Sequence, residues 1–452
     1  MLIWVTLSDA FGRRPVLLAA LTLFTLGAII CGVAHSWRTL LAGRTIQGLG
    51  GGGLISLTTV TITDLVPLRE RARFNAMVST VWAVGSATGP VLGGVLAVRG
   101  EWRWIFWINL PIVGVGVVGI GMFLRLQRRK RTLGEKLALF DFLGSFLFIA
   151  SVTAFLIPVT WGGVQYAWDS WRTVVPLVLG ALGLVAFVGY EILIARSAES
   201  SCTEERSPNR RRRPLLIPPS VLPSLTTLTL YTTSTFHGLT LFTLVYYMPE
   251  YFQSVKSYTP VIAGVASLPG TITTVPCAIL VGVVEGTSVV QWVFIQGVSG
   301  LGIGCLFPSI SIAVQASVPQ REVGVAATLV LFFRSLGQAL GVAVGSVILD
   351  NQLRRHLSTA LLTGLRGTAT ADSLLGGRAL NAASLVEILD RLPADSPEAM
   401  EIRQALVKSC QVIWMVICGF AGTNLVLSFF VREFGLDQRL ETEQGATHSH
   451  KP

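Results

Sequence analysis

Charge is what this sequence has least of. Asp, Glu, Lys and Arg make up 13% of its 452 residues, about half the ~25% usual in soluble domains. With 51% hydrophobic residues and a mean hydropathy of +0.63, that scarcity excludes a disordered chain, a coiled coil and nearly any soluble enzyme. Cysteine is thin as well. Cys31, Cys202, Cys277, Cys305, Cys410 and Cys418 are scattered, mostly inside apolar runs and with no CxxC, so they read as small packing residues. No HExxH, GxSxG or Gly-x-x-x-x-Gly-Lys-Ser/Thr occurs, which leaves zincin, nucleophile-elbow and ATP chemistry without a motif. His448 and His450 in the tail are too isolated to hold a metal. The reading is of a protein that is not an enzyme and needs no cofactor or metal.

What is present is apolar length. Stretches able to cross ~30 Å of hydrocarbon fall at 15–33, 39–63, 77–98, 103–124, 139–161, 173–195, 225–247, 260–284, 289–313, 327–349 and 411–431. They do not alternate polar with apolar, so they are helices rather than strands of a barrel. Loop charge orients them. One set of connections carries 17 cations and the alternate set 5, which makes the first set cytoplasmic. Most of the net +10 is therefore a topology signal, including Arg210 to Arg213, and no nucleic-acid partner is expected.

The chain also repeats. Val66-Pro67-Leu68-Arg69-Glu70 recurs 252 residues later as Val318-Pro319-Gln320-Arg321-Glu322, and Gly85, Gly89 and Gly93 recur at the same offset as Gly337, Gly341 and Gly345. Ile46-Gln47-Gly48 recurs as Ile295-Gln296-Gly297. Two parallel helix bundles joined by a basic linker are the architecture of a secondary transporter. The expected parts are a helical stub at 1–8, an N-terminal bundle at 9–124 and two linker helices at 139–195. A cytoplasmic linker at 196–222 and a C-terminal bundle at 225–349 follow. A long extramembrane connection at 350–410 leads to the last span at 411–431, then a cytoplasmic tail at 432–452. Within that connection, Ser396-Pro397-Glu398 has the order of an N-cap, an N1 proline and a first-turn acid.

Four stretches carry chemistry. Asp9, Gly12, Arg13 and Arg14 place an acid, a turn glycine and two cations in six residues at the cytoplasmic side, enough for a clamp at helix ends. Arg44 and Gln47 lie about one turn apart in the 39–63 span, where an arginine must face protein or water, or snorkel to the interface. Gly85, Gly89 and Gly93 form one smooth helix face for close approach, with Pro90 adding a kink and Gly94 following. Trp102-Arg103-Trp104-Ile105-Phe106-Trp107-Ile108-Asn109-Leu110-Pro111 opens the next span with interfacial tryptophans. Further polar candidates for the transport path are His237, which titrates near neutral pH when unperturbed, and Arg334 with Gln338 one turn on. Tyr231, Tyr246 and Tyr247 are candidates for stacking an aromatic substrate.

Together these stretches resemble the major facilitator superfamily. Asp9 to Arg14 resembles its loop between the second and third helices, with Val5 standing where glycine is usual. Arg44, Gln47 and Gly48 resemble its fourth-helix Arg-x-x-Gln-Gly signature, which implies a part in proton coupling. Gly85-x-x-x-Gly89-Pro90-x-x-Gly93-Gly94 resembles the fifth-helix signature of the antiporter branch. The tryptophan-rich string, His237-Gly238, and Tyr246 to Gln253 look like the fourteen-helix drug:proton antiporters, the fungal multidrug and toxin-efflux group. The resemblance implies an all-α polytopic membrane protein of two related bundles. It would export amphipathic small molecules, drugs or secondary-metabolite toxins, in exchange for protons by alternating access. A monomer in the plasma membrane, rather than the vacuolar membrane, is expected. A facilitator or uptake carrier and a non-transporting relative stay open as alternatives; a membrane enzyme lacks the residues.

Against fourteen helices, eleven spans leave three to find. Only eight residues precede Asp9, about 12 Å of helix, where the resemblance places two helices. The repeat makes both 66–70 and 318–322 cytoplasmic, and the basic linker starts the 225–247 span on that side too. The three remaining spans, 225–247, 260–284 and 289–313, cannot satisfy both ends, so a crossing is expected to be lacking near Val284-Glu285. On this reading the chain is incomplete, folds poorly and does not transport.

Overall fold

The computed structural model describes residues 1–124, 140–163, 166–200, 215–222, 224–267, 304–357 and 396–432, with 132, 134, 388–389, 392–393 and 434. The arginine run at 210–213, most of the expected spans 260–284 and 289–313 with Val284-Glu285 and Gln296 between and within them, and the tail histidines lie outside them.

Among the described residues every regular element is helical. In chain order these are α1 (Leu2–Phe11), α2 (Arg13–Gly32), α3 (Trp37–Leu65), α4 (Leu68–Val98), α5 (Trp104–Trp107), α6 (Asn109–Phe123), α7 (Phe142–Trp161) and α8 (Trp171–Ser200). Then come α9 (Leu225–Ser254) and α10 (Pro260–Ala266). They are followed by α11 (Gly304–Ser317), α12 (Val323–His356) and α13 (Pro397–Ser428). Local chemistry sets the starts. Ser36, Asp141, Ser224, Thr259 and Ser396 each accept a hydrogen bond from the backbone N–H three residues on, which satisfies a donor the first turn leaves orphaned. Gly12 separates α1 from α2 with φ 97°, a left-handed geometry glycine adopts without a Cβ penalty. The N-cap order at Ser396-Pro397-Glu398 starts α13, so the 411–431 span is the later part of a 32-residue helix.

Seven of these segments are long and apolar enough to cross a membrane. They display large apolar side chains outward, such as Leu182, Val185 and Leu193 on α8, as lipid-facing helices do. α3 and α9 run 29 and 30 residues yet fall outside that set, because glycines, threonines and polar side chains dilute them. Both line the central cavity described below, and polar residues at membrane depth face protein or water rather than lipid.

Packing builds a core in each half. Trp4, Val16, Leu17, Ala20 and Leu57 join α1, α2 and α3. Tyr251, Phe252, Leu353, Ile402, Leu406 and Ile413 join α9, α12 and α13. A third cluster, with Leu2, Phe187, Val221, Tyr231, Val314, Val323 and Leu329, ties the α8–α9 connection and α1 to α11 and α12.

Candidate functional site

The most tightly built contact is that between α9 and α12. A Cβ on Gly337 would strike the Thr235 carbonyl oxygen, one on Gly341 the Leu239 carbonyl, and one on Gly345 the Tyr247 ring. Ser234 Oγ donates to the Val330 carbonyl at 2.9 Å and Tyr247 Oη to the Val342 carbonyl at 2.9 Å. From the other side, Gly238 lies against the backbone of Arg334. His237 and Arg334, on the two helices so joined, both line one cavity.

The cavity, about 610 Å³, opens between the two halves. Its walls are α3 and α4 on one side and α9, α11 and α12 on the other, with Thr58, Ser79, Trp82, Phe307, Ser311 and Arg334 among the lining. Arg334 sits 11 residues into the 34-residue α12, about 16 Å along the helix, within a segment long and apolar enough to cross a membrane. Its guanidinium lies 4.0 Å from the centroid of Phe307 and 5.6 Å from that of Trp82. The His237 ring stacks on Phe307 with centroids 6.1 Å apart. Trp82 precedes Arg334 by 252 residues, the offset of the repeat, so equivalent positions of α4 and α12 face each other across the cavity.

Gln338 follows one turn after Arg334 but is not part of the cavity wall. The tyrosines depart from expectation too. Tyr231 is buried in the core and stacks on Phe333 at 5.2 Å. Tyr247 is buried against Gly345, and Tyr246 is exposed on the outer face of α9. None of the three lines the cavity, because the helical turn that brings His237, Leu241 and Val245 inward carries those tyrosines away from it.

Between α1 and α2 the loop residues do form a clamp. Arg13 is buried; its Nε donates to Asp64 Oδ2 at 2.8 Å and its Nη2 pairs with Asp9 Oδ1 at 2.7 Å. Arg13 also donates to Ser8 Oγ and to the Val5 carbonyl. Val5 is buried, and its bond with Arg13 runs through the backbone carbonyl, which any residue supplies. Arg14 turns outward and donates to the Gly121 carbonyl at 2.7 Å. Sequence reasoning missed Asp64; an acid at the C-terminal end of the α3 span was the available signal.

It also missed Arg71, which it counted as one more loop cation. Arg71 is 1% exposed. It donates to the Val66 and Thr63 carbonyls, both at 2.8 Å, and across the halves to Gln315 Oε1 on α11 at 3.0 Å. No pattern in sequence separates it from Arg69 and Arg73.

Arg44 and Gln47 do share a face: Arg44 Nη1 donates to Gln47 Oε1 at 3.1 Å, with the guanidinium 5.6 Å from the Phe106 centroid. Gln47 is buried against α2 and Arg44 is exposed; neither reaches the cavity wall. The α4 glycines also differ from expectation. A Cβ on Gly85, Gly89 or Gly93 meets nothing within 4 Å among the described residues. The close approach is made by Gly94, 3.0 Å from the Pro260 backbone, and by Pro90, whose backbone lies 3.0 Å from a Cβ on Gly264.

Comparison with known proteins bears on the same architecture. Across 98% of its length the chain is 38% identical to MFS transporter L2 of a Phoma species, covering 75% of that protein. It is 31% identical to efflux pump FUS6 of Gibberella moniliformis, over 98% of this chain and 80% of that one. MFS-type transporter ucsD of an Acremonium species is 33% identical over 98% and 77%. Residues 1–287 match the Major Facilitator Superfamily. With two helix bundles about a central cavity and these relatives along nearly its full length, the chain belongs to the Major Facilitator Superfamily, among its fungal transporters.

Proposed function

We propose that this protein exports amphipathic small molecules from a fungal cell in exchange for protons. The observation that carries the reading is the cavity between the halves, with apolar walls, scattered hydroxyls and Arg334 and His237 at its rim. Apolar walls with a few placed polar groups suit an amphipathic guest. Relatives named efflux pumps support the direction. In this reading His237 and Arg334 belong to the transport path, and Arg13 with Asp9, Asp64 and Arg14 steadies the cytoplasmic end as the halves rock. Arg71 is a further cytoplasmic tie, made or broken with the same motion. The Arg44–Gln47 pair couples proton movement to α3 at a distance from the guest. The protein acts as a monomer in the plasma membrane. The test is expression in an efflux-deficient yeast with a panel of dyes and toxins. Resistance and dye exclusion that collapse with a protonophore are expected; export that survives it and follows cellular ATP overturns the coupling.

A further inference from the structure

Among the described residues, the fixed charge lining the cavity is positive. Its wall holds Arg334 and His237 and, among the described residues, no aspartate or glutamate. Arg334 lies three turns into α12, inside a segment long and apolar enough to cross a membrane, where an arginine is costly unless something answers its charge. What surrounds it here answers only part. The faces of Phe307 and Trp82 attract the guanidinium through their ring quadrupoles, but ring faces offer no acceptor in the plane of its N–H groups. Arg334 Nε is buried with no hydrogen-bond acceptor, and no carboxylate among the described residues pairs with this side chain. The Gly238 contact on its backbone holds the side chain at the rim. Nearby, Ser79, Ser311 and Thr58 add hydroxyls to the wall, while Leu54, Ile62 and Val78 keep the rest apolar.

Resting on the reading of this cavity as the transport site, we propose that its guest is an amphipathic organic anion. A planar acid group, a carboxylate or the like, would lie against Arg334, with an apolar or aromatic body over Phe307 and Trp82. A guanidinium fork matches a carboxylate with two parallel N–H···O bonds and discriminates against a cation by repulsion. A cationic guest would find no acid among the described residues of this wall to receive it.

The test uses the full chain in nanodiscs of phosphatidylcholine alone, so that no anionic lipid competes. Three probes share one skeleton: pyrenebutyric acid, its methyl ester and pyrenebutylamine. Binding is read by fluorescence anisotropy. The wild type is expected to prefer the acid over ester and amine by about tenfold or more. Arg334→Gln should remove that preference by weakening the acid alone, and Arg334→Lys should restore part of it. The ester signal and the size-exclusion profile report whether each variant is folded. Probes that bind without preference for the acid, or a preference that survives in Arg334→Gln, overturn the anion proposal while leaving the cavity as transport site. Failure of all three to bind the wild type overturns the cavity reading and this proposal with it. If Arg334→Gln does not fold, the wild-type preference and Arg334→Lys decide between the same outcomes.

Discussion

Two helices of this protein carry the same glycine pattern 252 residues apart and use it differently. On α12, Gly337, Gly341 and Gly345 receive α9 so closely that each added Cβ would collide with it. On α4, Gly85, Gly89 and Gly93 face open space among the described residues, and the contact falls instead on Gly94 and Pro90 against α10. A run of glycines at i, i+4 and i+8 removes the side chains from one helix face. It permits close approach without naming the helix that approaches. The partner is supplied by α9 in one half, where hydroxyls from Ser234 and Tyr247 stitch the pair together.

That contrast breaks most visibly at Gly337→Leu. The Thr235 carbonyl in its way belongs to a helix already hydrogen-bonded along its length, so the collision has no soft exit. Overpacking of this kind usually costs about 1–3 kcal/mol and more against backbone; about 3 kcal/mol or greater is expected here. Detergent-solubilised protein should lose its monodisperse size-exclusion peak or melt far earlier than wild type. Since Gly238 and Gly337 set the same interface, the substitution should also displace Arg334 from the cavity rim.

The two halves meet through Arg71, and the next largest effect is expected there. Arg71→Ala leaves the Thr63 and Val66 carbonyls and Gln315 without their donor. With bonds to charged groups worth about 1.5–3 kcal/mol, a loss of about 2–3 kcal/mol is expected, read as a lowered thermal midpoint. A double-mutant cycle with Gln315→Ala should give a coupling of about 1–2 kcal/mol. Additive effects would mean that the tie between the halves contributes nothing.

How much of this was legible in the sequence follows from which forces act locally. The helical, membrane-spanning character of the chain and the N-cap at Ser396 were readable, because hydropathy and capping need only near neighbours in the chain. The clamp was half readable. Arg13 and Asp9 stand four apart on neighbouring turns, but Asp64 arrives from α3, and nothing at positions 9–14 announces it. Arg71 and the tyrosines were not readable. Whether Arg71 is a solvated loop cation or a buried tie depends on where α11 falls, and whether Tyr247 meets a guest or Gly345 depends on the rotation of α9. Those are tertiary choices. His237 and Arg334 were proposed as path residues from their rarity in apolar spans, and both stand in the cavity wall.

A smaller effect should follow at the place where α4 does touch a neighbour. A Cβ at Gly94 lies 3.0 Å from the Pro260 carbonyl carbon and oxygen and 3.1 Å from the Val261 nitrogen. Gly94→Val must push the start of α10 away by a few tenths of an ångström or more. A loss of about 1–2 kcal/mol is expected, with the thermal midpoint between that of wild type and Gly337→Leu. An unchanged midpoint would show that the α4–α10 contact gives way freely.

The smallest effect is the sharpest test of the comparison. Gly89 stands at the middle of the α4 pattern, and a Cβ added there meets no described atom within 4 Å. Leucine is the better helix former by about 0.8–1 kcal/mol, and its side chain is at home in lipid. Gly89→Leu should therefore leave the thermal midpoint unchanged or slightly raised, whereas Gly337→Leu, set against the α9 backbone, should not. Dye efflux from yeast expressing Gly89→Leu completes the measurement. Wild-type efflux together with wild-type stability means that the α4 face carries no partner in any state the protein visits. A midpoint that falls as far as that of Gly337→Leu means that the face is covered, and the two halves use their glycines alike after all. Lost efflux at intact stability separates the two cases physically: leucine is then harmless in the arrangement described above and obstructive in another, so the face closes on a neighbouring helix only as the halves rock.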